Sequence, residues 1–170
     1  MKSLKPIKCL LKPLFLALVL CFAGIISAQP DLPQRSITIT PTQSINFGTF
    51  CVTGSGGTIT VDWQGNRSST GGIIILASST AQPAIFEIKL CQGRNVIITF
   101  DATTSLTGSN GGSLTLDIGP TEKGINGASF PTISDCNFIT PLRVGGTLHV
   151  PGTAVPGIYT GVFDITFNQE

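Results

Sequence analysis

Three consecutive pieces decide the fold class: Leu142-Arg-Val-Gly-Gly-Thr-Leu-His-Val150, then Pro151-Gly-Thr-Ala-Val-Pro-Gly157, then Ile158-Tyr-Thr-Gly-Val-Phe-Asp-Ile-Thr-Phe-Asn-Gln169. Successive side chains of a strand point to opposite faces, so a period of two marks a half-buried strand. In the first run Leu142, Val144, Leu148 and Val150 share one face, and Arg143, Thr147 and His149 the other. In the last run Tyr159, Phe163, Ile165 and Phe167 oppose Thr160, Asp164 and Thr166. Two such runs around a Pro/Gly-rich connection predict a β-hairpin, on which the shorter runs upstream assemble.

Upstream, Ile37 and Ile39 share a face until Pro41 stops the run, and Ile45 and Phe47 point inward from residues 44–48. Residues 53–57 read as a turn, 58–63 as a strand with Ile59, Val61 and Trp63 inward, and 64–72 as a loop. Residues 73–76 are apolar without alternation, which predicts a strand covered on both sides. Residues 84–90 alternate on Phe86, Ile88 and Leu90. After a turn at Gln92-Gly93, residues 95–100 form their hairpin partner, with Val96, Ile98 and Phe100 inward. Residues 107–112 form a turn into a strand from Leu114, and 119–140 are the least regular. About nine short strands, frequent turn signals and no helical period predict an all-β fold, an antiparallel β-sandwich.

Residues 1–28 stand apart. Lys2, Lys5, Lys8 and Lys12 precede an apolar stretch, and Ala28 offers a small residue at a cleavage point, the pattern of a secretory signal peptide. Residues 29–42 are expected to be an N-terminal extension or the domain's first strand, and 43–170 the β-sandwich domain. Removing the leader leaves six Lys/Arg against nine Asp/Glu, a balance of −3 in place of the +1 of the full chain. Six scattered cations do not make a phosphate-binding patch, so nucleic acid is not an expected partner. No later segment reaches the roughly eighteen apolar residues of a spanning helix, so no transmembrane segment is expected after leader removal. Cys51, Cys91 and Cys136 remain in an oxidising compartment, where one disulfide and one leftover thiol are expected; all three pairings stay open.

The residues that carry chemistry do not cluster in the sequence. His149 is the single histidine, with no nucleophile motif beside it, and reads as an exposed strand residue. The carboxylates Asp62, Glu87, Asp101, Asp117, Glu122, Asp135 and Asp164 are dispersed, without the facing pair that a glycosidase needs. Asp101, Asn110 and Asp117 lack the spacing of a calcium loop. The glycine clusters at 54–57 and 108–112 precede strands, whereas a phosphate cradle needs a helix. Trp63 and Tyr159 are expected in the core. The reading is a chain with no catalytic, cofactor or metal residues to name, and not an enzyme.

Seven pieces, in order, are spread along nearly the whole of the remaining chain: Asn46-Phe-Gly, Gly57-Thr-Ile-Thr-Val, Gly65-Asn-Arg-Ser-Ser-Thr-Gly-Gly, Pro83-Ala-Ile-Phe, Leu106-Thr-Gly-Ser-Asn-Gly-Gly-Ser-Leu-Thr-Leu, Val144-Gly-Gly-Thr-Leu and Gly157-Ile-Tyr-Thr-Gly-Val-Phe-Asp-Ile-Thr-Phe. As a set they resemble a bacterial exported domain family, domain of unknown function 4402. Arg67, the one charged residue of the piece at 65–72, is expected to clamp its loop. The closing strand is similar to that of fimbrial and spore-coat-U-type subunits. That similarity implies an immunoglobulin-like, pilin-like sandwich that pairs strands with copies of itself or with other surface subunits. The expected role is a non-enzymatic structural or adhesive surface protein, secreted to the periplasm or cell surface of a Gram-negative bacterium. The alternative is a monomeric secreted binding module, with glycans as the ligand class.

Overall fold

A computed structural model of the chain describes residues 36–77, 79–91, 95–133, 135 and 137–169, and the expected leader at 1–28 lies outside them. The described residues form strands β1 (Ile37–Gln43), β2 (Phe50–Val61), β3 (Arg67–Ile75), β4 (Ala84–Leu90), β5 (Asn95–Phe100), β6 (Thr103–Gly108), β7 (Ser113–Thr121), β8 (Ser129–Pro131), β9 (Thr140–Val150), β10 (Tyr159–Thr160) and β11 (Ile165–Gln169). All pair antiparallel, in two sheets. The larger runs β1-β4-β9-β7-β6-β10, with β2 and β3 added beside β9, and the smaller runs β11-β5-β8. The all-β, antiparallel sandwich expected from the alternating runs is therefore the fold, with eleven strands where about nine were counted.

β9 organises the larger sheet. One edge pairs with β7; the other pairs with β4 as far as Val144 and with β2 from Gly146 onward. Gly145 marks the change of neighbour. A Cβ there would lie 2.7 Å from Val61 O and 3.0 Å from Asp62 C, so a side chain would push β2 away where the two neighbours meet. The inner face carries Leu142, Val144, Leu148 and Val150, all buried, while Arg143 and His149 face out. The smaller sheet contributes Val96, Ile98, Phe100, Phe130 and Phe167 to the same core. Phe86 of β4 joins the layers, its ring edge-on to Phe163 at 6.3 Å and 6.1 Å from Phe167. Each such large apolar side chain stabilises the fold by about 1.5–3 kcal/mol relative to exposure.

The expected hairpin does not form. β9 pairs with neither part of the last run: β10 pairs with β6, and β11 crosses to the smaller sheet and pairs with β5. The alternation survives the crossing, because both sheets of a sandwich turn their apolar faces to one core. The same physics undoes the expected β4–β5 hairpin. β4 lies between β1 and β9, whereas β5 lies between β8 and β11, and the intervening turn at Gln92-Gly93 is outside the described residues.

Smaller corrections share a cause: polar or glycine-rich outer strands look like loops. Residues 53–57 are not a turn but part of β2, whose register slips between Val52 and Gly57. Of the expected loop at 64–72, residues 67–72 belong to β3, which hydrogen-bonds along β2. β3 is an edge strand, so Ile74 is exposed and the run 73–76 is not covered on both sides. Residues 44–48 form a single bridge, Asn46 to Gln82, although Phe47 is buried as expected and Ile45 packs against the core. Pro41 does not end β1, which passes through an irregularity to Gln43. β1 pairs with β4 of its own chain, and residues 29–35 of the expected extension or first strand lie outside the described residues.

Candidate functional site

An open groove of about 1470 Å³ lies against part of the larger sheet's inner face. Its floor includes Leu106 of β6, Leu114 and Leu116 of β7, and Leu148 and Val150 of β9. Residues 43–52 border it on one side and residues 154–165 on the other. Three apolar side chains of the second border are far from buried: Val155 is 41 % exposed, Ile158 73 % and Val162 82 %. Clustered exposed apolar side chains beside a groove mark an interaction site more often than isolated ones do.

The backbone along both borders is only partly committed. Residues 161–164 lie between β10 and β11 and belong to no strand. Opposite them, β2 at Phe50, Cys51 and Val52 pairs with β3 on one edge, and its pairing to β9 begins only at Gly57. A strand edge outside a ladder still carries N–H and C=O groups able to accept another strand.

Each border is pinned from behind. Arg67, at the start of β3, donates through Nη1 to Phe47 O at 3.1 Å and Ser79 Oγ at 3.0 Å, and through Nη2 to Leu76 O at 3.0 Å. Ser79 Oγ in turn accepts from Thr49 N at 2.7 Å. The Arg67 fork therefore clamps backbone, as expected, and it fixes the border at residues 47–49. On the other border Tyr159 donates its hydroxyl to Val155 O at 2.6 Å, Asn110 Nδ2 donates to Pro156 O at 2.8 Å, and Thr104 Oγ1 donates to Val162 O at 2.8 Å. Tyr159 packs against the core, while Trp63 lies half-buried beyond the end of β2, in the turn to β3.

The remaining candidate residues do not converge. His149 Nε2 lies 2.7 Å from Asp117 Oδ2 on the outer face, both side chains about half exposed. Thr58 and Thr115 flank His149 in register, but no hydroxyl is hydrogen-bonded to its ring among the described residues. Asn110 sits in the β6–β7 turn, whereas Asp117 lies opposite Thr103 at the other end of that hairpin, so the two are apart. Glu122 pairs with Arg143 at 2.9 Å. Among the described residues no group of three His, Cys, Asp or Glu is placed to hold a metal ion. Cys51 is a free, exposed thiol and Cys91 is disulfide-bonded, which excludes the two pairings that use Cys51; Cys136 lies outside the described residues.

In the turn between β2 and β3, Asp62 Oδ1 accepts from Gln64 N at 2.9 Å and Asn66 N at 2.8 Å, and Oδ2 accepts from Asn66 Nδ2 at 2.8 Å. The Asn66 side chain above all, aided by the loop N–H groups and opposed by a lesser effect of burial, holds the Asp62 carboxyl below its ordinary value.

Sequence reasoning missed the groove. Its one trace in the sequence was Ile158 and Val162, apolar residues on the polar side of the last alternating run. No curated protein and no solved structure matches the chain. A family model does, over residues 37–168, and it is described as a domain of unknown function (DUF4402). With most of its length matched, the chain belongs to the DUF4402 family.

Proposed function

We propose that this chain is an exported, non-enzymatic structural or adhesive subunit of a bacterial surface, which takes a β-strand of a neighbouring subunit into its groove. One observation carries the reading: an apolar floor lies between two backbone borders that are only partly paired, beside the exposed Val155, Ile158 and Val162. An incoming strand would place alternate side chains on the floor and offer its backbone to the borders, the two terms that drive strand addition. β1 pairs with β4 of the same chain and does not itself fill the groove, so the strand that fills it is supplied by a neighbouring subunit. The basic, then apolar, leader at residues 1–28 supports export.

The test is an unheated, non-reducing gel of envelope and medium fractions from the native host, probed for the domain. Wild type is expected to give a ladder of regular steps that collapses on boiling without reductant. Val162→Asp, at a position with little to lose on folding, is expected to remove the ladder while leaving the monomer's melting temperature unchanged. A single wild-type band at the monomer mass, or a ladder indifferent to Val162→Asp, overturns the reading.

A further inference from the structure

We infer that the outer face of the larger sheet is a binding surface for an extended, uncharged polysaccharide. The inference stands apart from the groove, because it uses the opposite face of the same strands. Register aligns two rows across five adjacent strands. Thr70, Thr58, His149, Thr115 and Ser105 are successive direct partners in one row. Ser68, Thr60, Thr147, Asp117 and Thr103 are successive partners in the next. All but two of these side chains carry a hydroxyl, and the two exceptions, His149 and Asp117, contact each other at 2.7 Å.

The chemistry of the rows narrows the partner. Neither row contains lysine or arginine, so a polyanion finds no counter-charge. Neither contains an apolar side chain, so a lipid surface or a hydrophobic protein patch gains nothing there. What remains is a neutral partner that both donates and accepts hydrogen bonds. The hydroxyls are held ready for it: Thr58 Oγ1 lies 2.7 Å from Thr70 Oγ1, and Thr60 Oγ1 lies 2.9 Å from Thr147 Oγ1. In each pair only one of the two hydroxyl hydrogens is spent, leaving a donor and lone pairs facing outward.

Spacing narrows it further. Neighbouring strands lie about 4.8 Å apart, close to the advance of one ring in an extended, equatorially linked sugar chain. A chain laid along a row therefore meets one side chain per ring, and the second row, about 7 Å away along the strands, reaches its other edge. Each strand is also rotated by roughly 20–25° from its neighbour, so a row is a shallow ramp. A ramp suits a single flexible chain better than the flat face of a crystal.

The test is native affinity electrophoresis of the leader-free chain in gels containing soluble β-1,4-glucan, β-1,4-xylan or β-1,4-mannan, with α-1,6-dextran and alginate as contrasts. Wild type should be retarded by at least one β-1,4 polymer and by neither contrast. The variant Thr58→Val/Thr115→Val/Thr147→Val keeps the β-branched shape and removes three hydroxyls, and should bind at least about tenfold more weakly. Its melting temperature reports whether the fold is intact. If it is not, Thr115→Val alone, at an exposed position, should weaken binding about threefold. Val162→Asp should bind as wild type does, which keeps this outcome separate from the fate of the groove. No retardation in any β-1,4 polymer, retardation that survives the valine substitutions, or retardation by alginate instead would each overturn the inference.

Discussion

Leu142 and Leu148 belong to one strand, point to one face and are both buried, at 0 % and 2 % exposure, yet their surroundings differ. Leu142 lies opposite Phe86 of β4 and takes no part in the groove, whereas Leu148 is part of the groove floor. The closed part of the core is completed by Val96, Ile98, Phe100, Phe130 and Phe167 of the smaller sheet, none of which lines the groove. The open part is bordered instead by two segments that each meet other chain on one side. A sheet face needs a covering layer, and over Leu148 and Val150 that layer includes the groove borders, whereas over Leu142 it does not. The groove of about 1470 Å³ beside that part of the sheet is why it reads as a place for another chain.

Paired truncations would break or sharpen that contrast with the largest effect. Leu142→Ala should cost about 2–5 kcal/mol toward the upper end, because tight surroundings cannot collapse onto the lost atoms. Leu148→Ala should fall toward the lower end of the same range, since side chains beside a groove have room to shift. Urea titrations of both variants decide it. An equal or larger cost at Leu148 would mean that the two parts of β9 are packed alike and that the groove is no real opening.

The next effect concerns one border alone. Arg67→Ala removes three hydrogen bonds behind residues 47–49 and should cost about 1–3 kcal/mol. Arg67→Lys should recover little, because a point charge cannot span Phe47 O and Leu76 O at once. Hydrogen exchange resolved by peptide should rise around residues 47–52 and stay unchanged around 140–144. Exchange rising equally in both would make Arg67 a general stabiliser and not the holder of a border.

The contrast also explains what the sequence disclosed and what it did not. Alternation correctly sorted Leu142, Val144, Leu148 and Val150 from Arg143 and His149, and Tyr159, Phe163 and Phe167 from Thr160 and Asp164. A period of two reports a face, not a neighbour, so β9 was given the wrong partner, and so was β4. β6 went unseen because Thr-Thr-Ser-Leu-Thr-Gly buries only Leu106 among its large apolar positions. β3 was read as a loop followed by a doubly covered strand because its composition changes midway, although it is one edge strand. Arg67 was legible as a clamp, since a lone cation in a glycine-rich stretch has few other partners than carbonyls. The groove was not, because it is a missing layer and no residue type encodes an absence.

The smallest effect is a pH dependence at the β2–β3 turn, which closes the hairpin whose far end borders the groove. The Asn66 side chain and the loop N–H groups favour the charged form of Asp62, so its folded pKa lies below the unfolded value of about 3.9. A depressed carboxyl pKa adds stability that is whole above the unfolded value and disappears as pH falls through the folded one. Asp62→Asn lacks that contribution at every pH. The melting temperature of wild type should therefore exceed that of the variant by a constant margin from neutral pH to about 5, and the margin should close below about 4. Acid should also loosen residues 50–61 and 67–75 before residues 140–144, because the titrating group ties only the former. A margin that held or widened in acid would detach Asp62 from the hairpin, and would leave Arg67 as the sole tested support of that side of the groove.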